Sequence, residues 1–288
     1  FTTLNNDSEA PELGKFNLDT GQVDRFATDG SDAVLGNIVA VSSVTGVWYS
    51  LCQDGNMVVY NFDQNSETIT HTLPMDVPCS NPVSYIKADA LGNIWVGGAY
   101  YNEVAKIDPD RNVTYHDIGG FGAVMSLNNQ GMPSIVVMVL VDGNPDHVEI
   151  KDVDNTGTSI STVRSWGIDQ PYYGFNATQD AEGSYWMGNM NMTGQTGLIP
   201  SLLRIDSNSD LEAELTTDAQ PGTYVWQTHV NNADGSVWYT KSDGTPVRYN
   251  KSDSTVTEYP LTNLIGGPLT GVYNSLLVSD NGDVYFSG

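Results

Sequence analysis

Short segments in which apolar and polar residues alternate make up most of this chain, and a glycine precedes many of them. The pattern is plainest at residues 85–88, 93–97, 103–108 and 113–118, which are separated by a loop and by turns rich in Asp, Asn, Gly and Pro. A period of two with many β-branched and aromatic residues is typical of β-strands, and no segment sustains a helical period. Each such set of four is predicted to be a meander of four short antiparallel strands.

Two short motifs alternate along the chain. In the first, a glycine leads a strand that ends in an aromatic residue, as in Gly46-Val47-Trp48, Gly92-Asn93-Ile94-Trp95, Gly183-Ser184-Tyr185-Trp186, Gly235-Ser236-Val237-Trp238 and Gly282-Asp283-Val284-Tyr285, with a weaker copy at Gly131. In the second, an aromatic or aliphatic residue precedes Asp or Asn, as in Phe16-Asn17, Tyr60-Asn61, Ile107-Asp108, Ile205-Asp206 and Tyr249-Asn250, with a weak copy at Ile150-Lys151. Six units of about 48 residues result, within the roughly 40 to 50 residues of a four-stranded propeller blade. We expect the tryptophan after each turn glycine to be a core residue.

The two ends of the chain complete the pattern. The strand motif at Gly282 has no hairpin motif after it, and the hairpin motif at Phe16 has no strand motif before it. Residues 275–287 are therefore predicted to supply the first two strands of one blade and residues 13–27 its last two, which removes exposed strand edges. The predicted fold is a single all-β domain over 1–288, a six-bladed β-propeller of four-stranded antiparallel blades. One blade combines 272–288 with 1–28, and the others span about 36–74, 82–118, 121–165, 173–217 and 225–261.

The charge balance narrows the classes of partner. The chain has 11 Lys and Arg against 35 Asp and Glu, a formal net charge of −24. A surface so short of cations is unsuited to nucleic acid. The longest apolar stretch, residues 135–141, is far below the roughly 18 residues of a membrane-spanning helix, so no membrane span is expected.

Several features are compatible with an extracellular or cell-surface location. The chain begins with Phe1 and carries no signal-like segment, so we expect that a signal peptide has been removed. Cys52 and Cys79 are the only cysteines and permit one disulfide, with two separate buried thiols as the alternative. Glycosylation sequons occur at Asn6, Asn112, Asn176, Asn191 and Asn250.

The string Gly92-Asn93-Ile94-Trp95-Val96, followed by Asn102-Glu103-Val104-Ala105-Lys106-Ile107-Asp108-Pro109, resembles the blade signature of streptogramin B lyase-like propellers. Sensor-associated periplasmic propellers, NHL repeats and the gluconolactonase group share this signature. The resemblance therefore implies a fold more than a chemistry. The lyase family usually has seven blades, whereas this chain has six predicted units.

The resemblance implies catalytic histidines at the start of the first strand, eight positions before the turn glycine, with an acid two positions before one of them. The equivalent residues here are Ile38, Ser84, Ala123, Phe175, Gln227 and Asn274. The residues two positions earlier are Gly36, Pro82, Phe121, Tyr173, Val225 and Val272. None is a base or an acid suited to the elimination, so inherited lyase chemistry is not expected.

The remaining candidate chemistry is sparse. None of the four histidines belongs to a local metal motif; they are His71, His116, His147 and His229. His71 and His116 are expected on exposed outer strands. His229, which lies six residues before its turn glycine, is expected to point into the blade packing, with a channel ligand as the alternative. Asp152 and Asp154 resemble the start of a calcium loop, although the twelfth position is Val163 and a plain hairpin turn is favoured. No cofactor is required, and calcium remains open elsewhere because the acidic surface offers many oxygen ligands.

Aromatic and amide side chains cluster around the predicted first-strand entrances. They suit a carbohydrate or a peptide backbone, with packing between blades as the alternative explanation. The set comprises Tyr85, Tyr100, Tyr101, Asn102, Tyr172, Tyr173, Trp226, Gln227, Tyr273 and Asn274. Two insertions, residues 138–146 and 189–201, are predicted to open onto the same face.

Three functions remain open. The first is a secreted or cell-surface binding or assembly module for a carbohydrate, peptide or protein partner. The second is a lyase or hydrolase acting on a polysaccharide or cyclic ester. The third is a structural subunit of an extracellular assembly, in which copies of the chain self-assemble.

Overall fold

The computed structural model describes residues 2–4, 11–16, 23–27, 39–42, 44–53, 56–63, 68–78, 84–98, 101–167, 173–190, 201–206, 211–216, 225–231, 233–241, 245–259, 275–278 and 284–287. All regular elements in these ranges are β-strands, as the alternating pattern predicts. The same ranges contain no helix of the length and apolarity needed to cross a membrane.

The strands, numbered in chain order, are β1 Thr2–Leu4, β2 Pro11–Phe16, β3 Val23–Ala27, β4 Val39–Ser42, β5 Gly46–Gln53, β6 Asn56–Asp63, β7 Thr68–Pro78, β8 Ser84–Ala88, β9 Ile94–Gly98, β10 Tyr101–Ile107, β11 Val113–Leu127, β12 Pro133–Val141, β13 Asn144–Val153, β14 Ile160–Gly167, β15 Tyr173–Gln179, β16 Tyr185–Met190, β17 Ser201–Ile205, β18 Leu211–Thr216, β19 Val225–Val230, β20 Val237–Lys241, β21 Pro246–Asn250, β22 Thr255–Glu258, β23 Ser275–Val278 and β24 Val284–Ser287. Successive strands within each sheet pair antiparallel, and the orders are β1-β2-β3, β4-β5-β6-β7, β8 to β14, β15 to β18, β19 to β22 and β23-β24.

The chain forms two compact units. Unit 1 comprises Phe1–Met125 and Asp154–Ile160, and unit 2 comprises Ser126–Val153 and Ser161–Gly288. Strands β11 and β14 carry the chain from one unit into the other. The predicted end of β11 at residue 118 is wrong, because the strand continues through Gly119 and Gly120 to Leu127.

The core of unit 1 lies between the sheet β4–β7 and the strands that begin with β8. Trp48, Met57 and Val59 from the first pack with Ile86 and Ile94 from the second, and all five are almost fully buried. Removing such apolar faces from water is the main stabilising contribution in a β-fold of this kind. Gly97 lies inside β9, where an added Cβ would be 3.2 Å from the Val104 side chain.

Unit 2 repeats this packing between the sheets β15–β18 and β19–β22. Trp186 and Leu202 of the first sheet pack with Val237, Tyr239 and Val247 of the second. The tryptophans that follow the turn glycines, Trp48, Trp95, Trp186 and Trp238, are all buried, so their predicted role as core residues is confirmed.

An aspartate closes the hairpin turn at two equivalent places. Asp89 Oδ1 accepts the backbone N–H groups of Leu91 and Asn93, and Asp89 Oδ2 accepts the indole N–H of Trp95 at 2.8 Å. Asp180 binds Glu182 N, Ser184 N and the Trp186 indole in the same way. The turn glycines have φ of +87° at Gly92 and +85° at Gly183, backbone angles that residues other than glycine rarely adopt. The carboxylate therefore ties the first strand of the sheet to the core tryptophan of the second.

The turn between β19 and β20 is one residue longer. Its closing hydrogen bond joins Asn231 N to Ser236 O, whereas the equivalent bonds join Asp89 to Asn93 and Asp180 to Ser184. His229 consequently pairs with Trp238, as Lys87 pairs with Trp95 and Thr178 with Trp186. A count from Gly235 therefore places His229 one position out of register, because the count omits the additional residue. His229 lies on the face of Trp238 and is partly buried.

The N-terminal strands differ from the predicted closure. Strand β1, which the motifs did not predict, pairs with one edge of β2 while β3 pairs with the other. The predicted closure would need one of these edges for β24, which pairs with β23. Within the described residues both edges of β2 are thus occupied by N-terminal strands.

Candidate functional site

In unit 2, the end of β11 and the strands β15 and β19 run side by side. Ser126, near the end of β11, donates its hydroxyl to the carbonyl of Ala177 on β15. Three residues further on, Asn129 Nδ2 donates to the carbonyl of Asp180 at 3.5 Å. Because both partners advance together along the chain, β11 and β15 have the same direction here.

Strands β15 and β19 follow the same rule. The hydroxyls of Thr178 and Thr228 are 3.4 Å apart, which aligns the middle of the two strands. Lys251, which lies beside Gly235 in the β19–β20 turn, reaches Asp180 in the turn after β15 at 3.1 Å. The ends of the two strands therefore lie together, and so do their starts.

The loop face of unit 2 is defined here as the end at which β15 and β19 begin. It contains Tyr173, residues 225–227 and the tip of the β12–β13 hairpin at residues 141–144. It also contains Met190 and Ser201, the residues on either side of segment 191–200. Tyr173 pairs directly with Met190, so the predicted insertion at 189–201 starts beside the first strand. Residues 191–200 themselves lie outside the described residues.

The β12–β13 hairpin, predicted as an excursion at 138–146, brings charge to the loop face. His147 Nδ1 lies 2.7 Å from Asp146 Oδ2, and His147 Nε2 lies 3.3 Å from Glu149 Oε1. The hydrogen bond with Asp146, aided by Glu149, raises the pKa of His147 above its usual range. Val141 at the tip is 51% exposed. The hairpin thus combines an exposed apolar tip with an ionisable cluster.

The structure places the predicted aromatic and amide residues in two groups. In unit 1, Tyr85 on β8 is buried, Asn102 on β10 is exposed, and Tyr101 begins β10 at the same end of the sheet. In unit 2, Tyr173, Trp226 and Gln227 belong to β15 and β19 and lie on the loop face. The remaining four, Tyr100, Tyr172, Tyr273 and Asn274, lie outside the described residues. A role for this set in ligand binding stays a prediction.

Asp152, one of the two residues for which a calcium loop was the less favoured alternative to a plain turn, accepts hydrogen bonds from protein donors. Its carboxylate accepts hydrogen bonds from Ser134, from Asn128 at 3.2 Å and from the hydroxyl of Tyr185 at 2.5 Å. Burial raises the pKa of Tyr185, and the charge on Asp152 raises it further, so the phenol stays a donor. The cluster joins β12, β13 and β16, and it was not predicted from sequence.

Asp154 caps the turn between β13 and β14. It accepts hydrogen bonds from Thr156, Thr158 and Ser159, and these lower the pKa of its carboxyl. Asp152 and Asp154 therefore use their oxygens for different donors. In the described part of the chain, no group of three or more His, Cys, Asp or Glu side chains could hold a metal ion.

The other predicted residues have mixed outcomes. His116, expected to be exposed, lies with its ring 5.3 Å from that of Trp95, and burial lowers its pKa. The described residues contain no disulfide; Cys79 lies outside them, and Cys52 is placed in β5 by its backbone. Of the sequons, Asn112 is exposed in a turn and Asn250 ends β21, while Asn176 lies in β15 and both Asn6 and Asn191 fall outside the described ranges.

The Asp152 cluster is the feature of this part of the chain that sequence reasoning missed. The signal for the cluster was Ser134, which stands where four of the other five repeats have tryptophan and the fifth has tyrosine.

The structure refines where the lyase-type histidines would lie. Because the turn at 231–236 is one residue longer, the equivalent position in that sheet moves from Gln227 to Trp226, and the residue two before it becomes Tyr224. Ser84 and Phe175 keep their places in β8 and β15. A histidine is still absent from every equivalent position of the sequence.

No protein-family model matches the chain, and no curated protein matches it by sequence. Among solved structures, virginiamycin B lyase from Staphylococcus aureus superposes with a TM-score of 0.67 at 16% identity, covering 99% of this chain and 90% of that one. A streptogramin B lyase structure gives 0.60 at 17% identity, covering 90% and 78%. PorZ, a bacterial surface component of the type-IX secretion system of Porphyromonas gingivalis, gives 0.61 at 15% identity, covering 96% of this chain and 41% of PorZ. The chain thus has a streptogramin lyase-like β-propeller fold, and at these identities the similarity shows the fold alone.

Proposed function

We propose that this chain is a secreted or cell-surface propeller of six four-stranded blades that binds a carbohydrate, peptide or protein partner through its loop face. The observation that carries the proposal is the common end of β15 and β19. Tyr173, Trp226 and Gln227 begin or nearly begin these two neighbouring strands. Aromatic rings beside an amide can stack on a sugar or peptide and bond its polar groups.

The lyase alternative has less support. An elimination needs a general base with a pKa near neutrality, and no histidine stands at the positions that the resemblance implies. The fold alone does not supply the chemistry, because one propeller scaffold serves many functions. The assembly role remains part of the proposal, and the surface component PorZ is an example of a related fold in that setting.

The loop face also carries the β12–β13 hairpin. Its exposed tip at Val141 and the hydrogen-bonded pair of His147 and Asp146 give the face both apolar and polar contacts. Binding surfaces commonly combine such an apolar centre with a polar rim.

The test uses glycan and peptide arrays with the whole chain. Trp226→Ala and Tyr173→Ala are expected to weaken binding about five- to thirtyfold, because loss of an aromatic anchor costs about 1 to 2 kcal/mol. Tyr115→Ala removes an exposed aromatic from β11 in unit 1 and serves as the matched control. Circular dichroism and thermal unfolding establish that each variant is folded. Unchanged binding by both loop-face variants, or equal loss in Tyr115→Ala, would overturn the site.

A further inference from the structure

Charged side chains in the described part of the chain divide by sign between packed and exposed positions. Eight acidic residues are exposed there, and Arg111 is the one exposed basic residue. The whole chain has 35 acidic and 11 basic residues, a ratio of about three to one, so the exposed positions are more one-sided than the composition. The exposed acids are Asp110, Asp117, Asp142, Asp146, Glu182, Asp234, Asp253 and Glu258.

The other basic residues whose side chains are described are partly buried. Lys106 Nζ lies 6.0 Å from the centre of the Trp95 ring, and the guanidinium of Arg204 lies 5.7 Å from the centre of the Trp186 ring. Long cationic side chains cover aromatic rings in this way because their stems are apolar and the ring face attracts the charge. These cations therefore contribute to packing between strands.

Ion pairs hold further cations to neighbouring carboxylates. Lys251 Nζ lies 2.8 Å from Glu182 and 3.1 Å from Asp180, and Arg248 lies 2.8 Å from Asp234. The cations that pair in this way are not available to the rest of the acidic surface. Four exposed carboxylates form no ion pair with a described residue: Asp110, Asp117, Asp142 and Asp253.

Dissolved salt acts differently on these two classes of charge. The screening length is about 10 Å at about 0.1 M salt and about 3 Å at about 1 M. Repulsion between exposed carboxylates acts through solvent and is screened, whereas the partly buried contacts of Lys106, Arg204 and Lys251 are screened much less. The self-repulsion of a chain with a net charge of −24 destabilises its compact state. Added salt therefore removes more repulsion than attraction.

We infer that the fold is adapted to a medium of high ionic strength, in which dissolved cations, rather than the chain's own lysines and arginines, offset the acidic surface. The dissolved cations act on the surface as a whole and occupy no particular site. The chain's own cations lie where salt cannot replace them, in the packing between strands and turns. A partner on the loop face is not needed for this behaviour.

Thermal unfolding of the whole chain, followed by circular dichroism near pH 7, measures the effect of salt. Between about 0.1 and 1 M NaCl the Tm is expected to rise by about 5 °C or more, because the screening length falls about threefold over this range. KCl at the same concentrations should give the same rise, since screening depends on ionic strength and not on the identity of the cation.

Three exposed carboxylates without an ion pair provide a graded series of variants. Asp110→Asn, Asp117→Asn and Asp253→Asn together change the net charge from −24 to −21, and Lys at the same three positions changes it to −18. Asn retains the Oδ1 acceptor that Asp117 and Asp253 offer to the N–H groups of Gly119 and Thr255. Because self-repulsion scales roughly with the square of the net charge, the salt-induced rise in Tm should shrink by about a quarter with Asn and by about two fifths with Lys. Glu at the three positions keeps the charge and is the matched control, with the full rise.

The salt series on the unmodified chain is decisive without any variant. A Tm that stays level or falls over the same range of NaCl would overturn the inference. A rise of equal size in the Asn, Lys and Glu variants would also overturn it, because salt would then be strengthening hydrophobic burial in general. A rise produced by millimolar CaCl2 and not by NaCl would indicate a specific site and would count against it equally. Binding by the loop-face variants is measured separately, so failure of the proposed function is distinguishable from each of these results.

Discussion

The hydrogen bond between Asp89 and Trp95 is predicted to contribute strongly to the stability of unit 1. The Asp89 carboxylate is buried and accepts four donors: two backbone N–H groups, the Asn93 side chain at 2.7 Å and the Trp95 indole at 2.8 Å. A hydrogen bond to a charged group contributes about 1.5 to 3 kcal/mol, and a buried donor left without an acceptor costs about 1 to 3 kcal/mol. Asp89→Ala, which strands several donors, should therefore lower the free energy of unfolding by about 3 to 5 kcal/mol.

A double-mutant cycle isolates the indole contact. Trp95→Phe keeps an aromatic ring in the core but removes the indole N–H, so the cycle with Asp89→Ala should give a coupling energy of about 1.5 to 3 kcal/mol. Urea unfolding followed by circular dichroism measures each corner without relying on tryptophan fluorescence. A coupling energy below about 0.5 kcal/mol would refute the assigned role, because distant, independent sites are additive to that extent.

The longer turn of unit 2 supplies the matched control. Asn231 takes the position of Asp89, and its Oδ1 accepts the backbone N–H of Ala233. The Trp238 indole N–H is buried and has no partner among the described residues. Asn231→Ala and Trp238→Phe should therefore be additive within about 0.5 kcal/mol, and Trp238→Phe should cost less than Trp95→Phe, since an unpaired donor is removed.

Two further predictions concern a glycine pair and a histidine. Gly92→Ala should be more destabilising than Gly183→Ala in urea unfolding, because both have positive φ, costing about 1 to 2 kcal/mol, but only at Gly92 would the new Cβ meet a side chain, Val44 at 2.7 Å. Equal losses would contradict the expected clash with Val44. His147 should titrate by NMR above the ordinary histidine pKa of about 6.5, because its hydrogen bonds to two acidic neighbours favour the charged form. Because the pKa of His147 is higher in the folded state, its protonation stabilises the hairpin, and this stabilisation is complete at a pH below the unfolded-state pKa. The stabilisation is lost as the pH rises through the folded-state pKa. His147→Ala should therefore abolish this pH dependence in the hydrogen exchange of the hairpin amides.

The third repeat shows why much of the fold was predictable from the sequence. Its predicted strands at 85–88, 93–97 and 103–108 correspond to β8, β9 and β10 with shifts of one or two residues. Alternation with a period of two assigns each side chain to a face, and glycines at positive φ mark the turns. Both signals are local, so they survive without knowledge of the partner strand.

Signals that depend on a count along the chain were less secure. One additional residue in the turn at 231–236 moved His229 to the other face of its strand, as a shift of one position must in a structure with a period of two. Strand β1 was missed for a different reason. It is three residues long, and its pairing with β2 depends on contacts that alternation cannot encode.

In the fourth repeat, residues 121–165, the pairs of residues on neighbouring strands reveal a substitution that the motif along the chain does not show. In three other repeats the core tryptophan pairs with a cation on the next strand, Trp95 with Lys106, Trp186 with Arg204 and Trp238 with Arg248. The equivalent pair in the weak repeat is Ser134 with Asp152.

A third change, on the neighbouring strand β16, accompanies the substitutions at Ser134 and Asp152. Tyr185 stands just before its tryptophan, where the corresponding residues Ile94 and Val237 are aliphatic and fully buried, and its hydroxyl donates to Asp152. A lost tryptophan, a carboxylate in place of a cation and an added phenol are each weak signals in isolation. Together they give the partly buried carboxylate of Asp152 three protein donors, Ser134, Asn128 and Tyr185. The fourth repeat, which lacks the tryptophan of the strand motif, therefore has a hydrogen-bonded cluster at the cross-strand position where other repeats have a tryptophan and a cation.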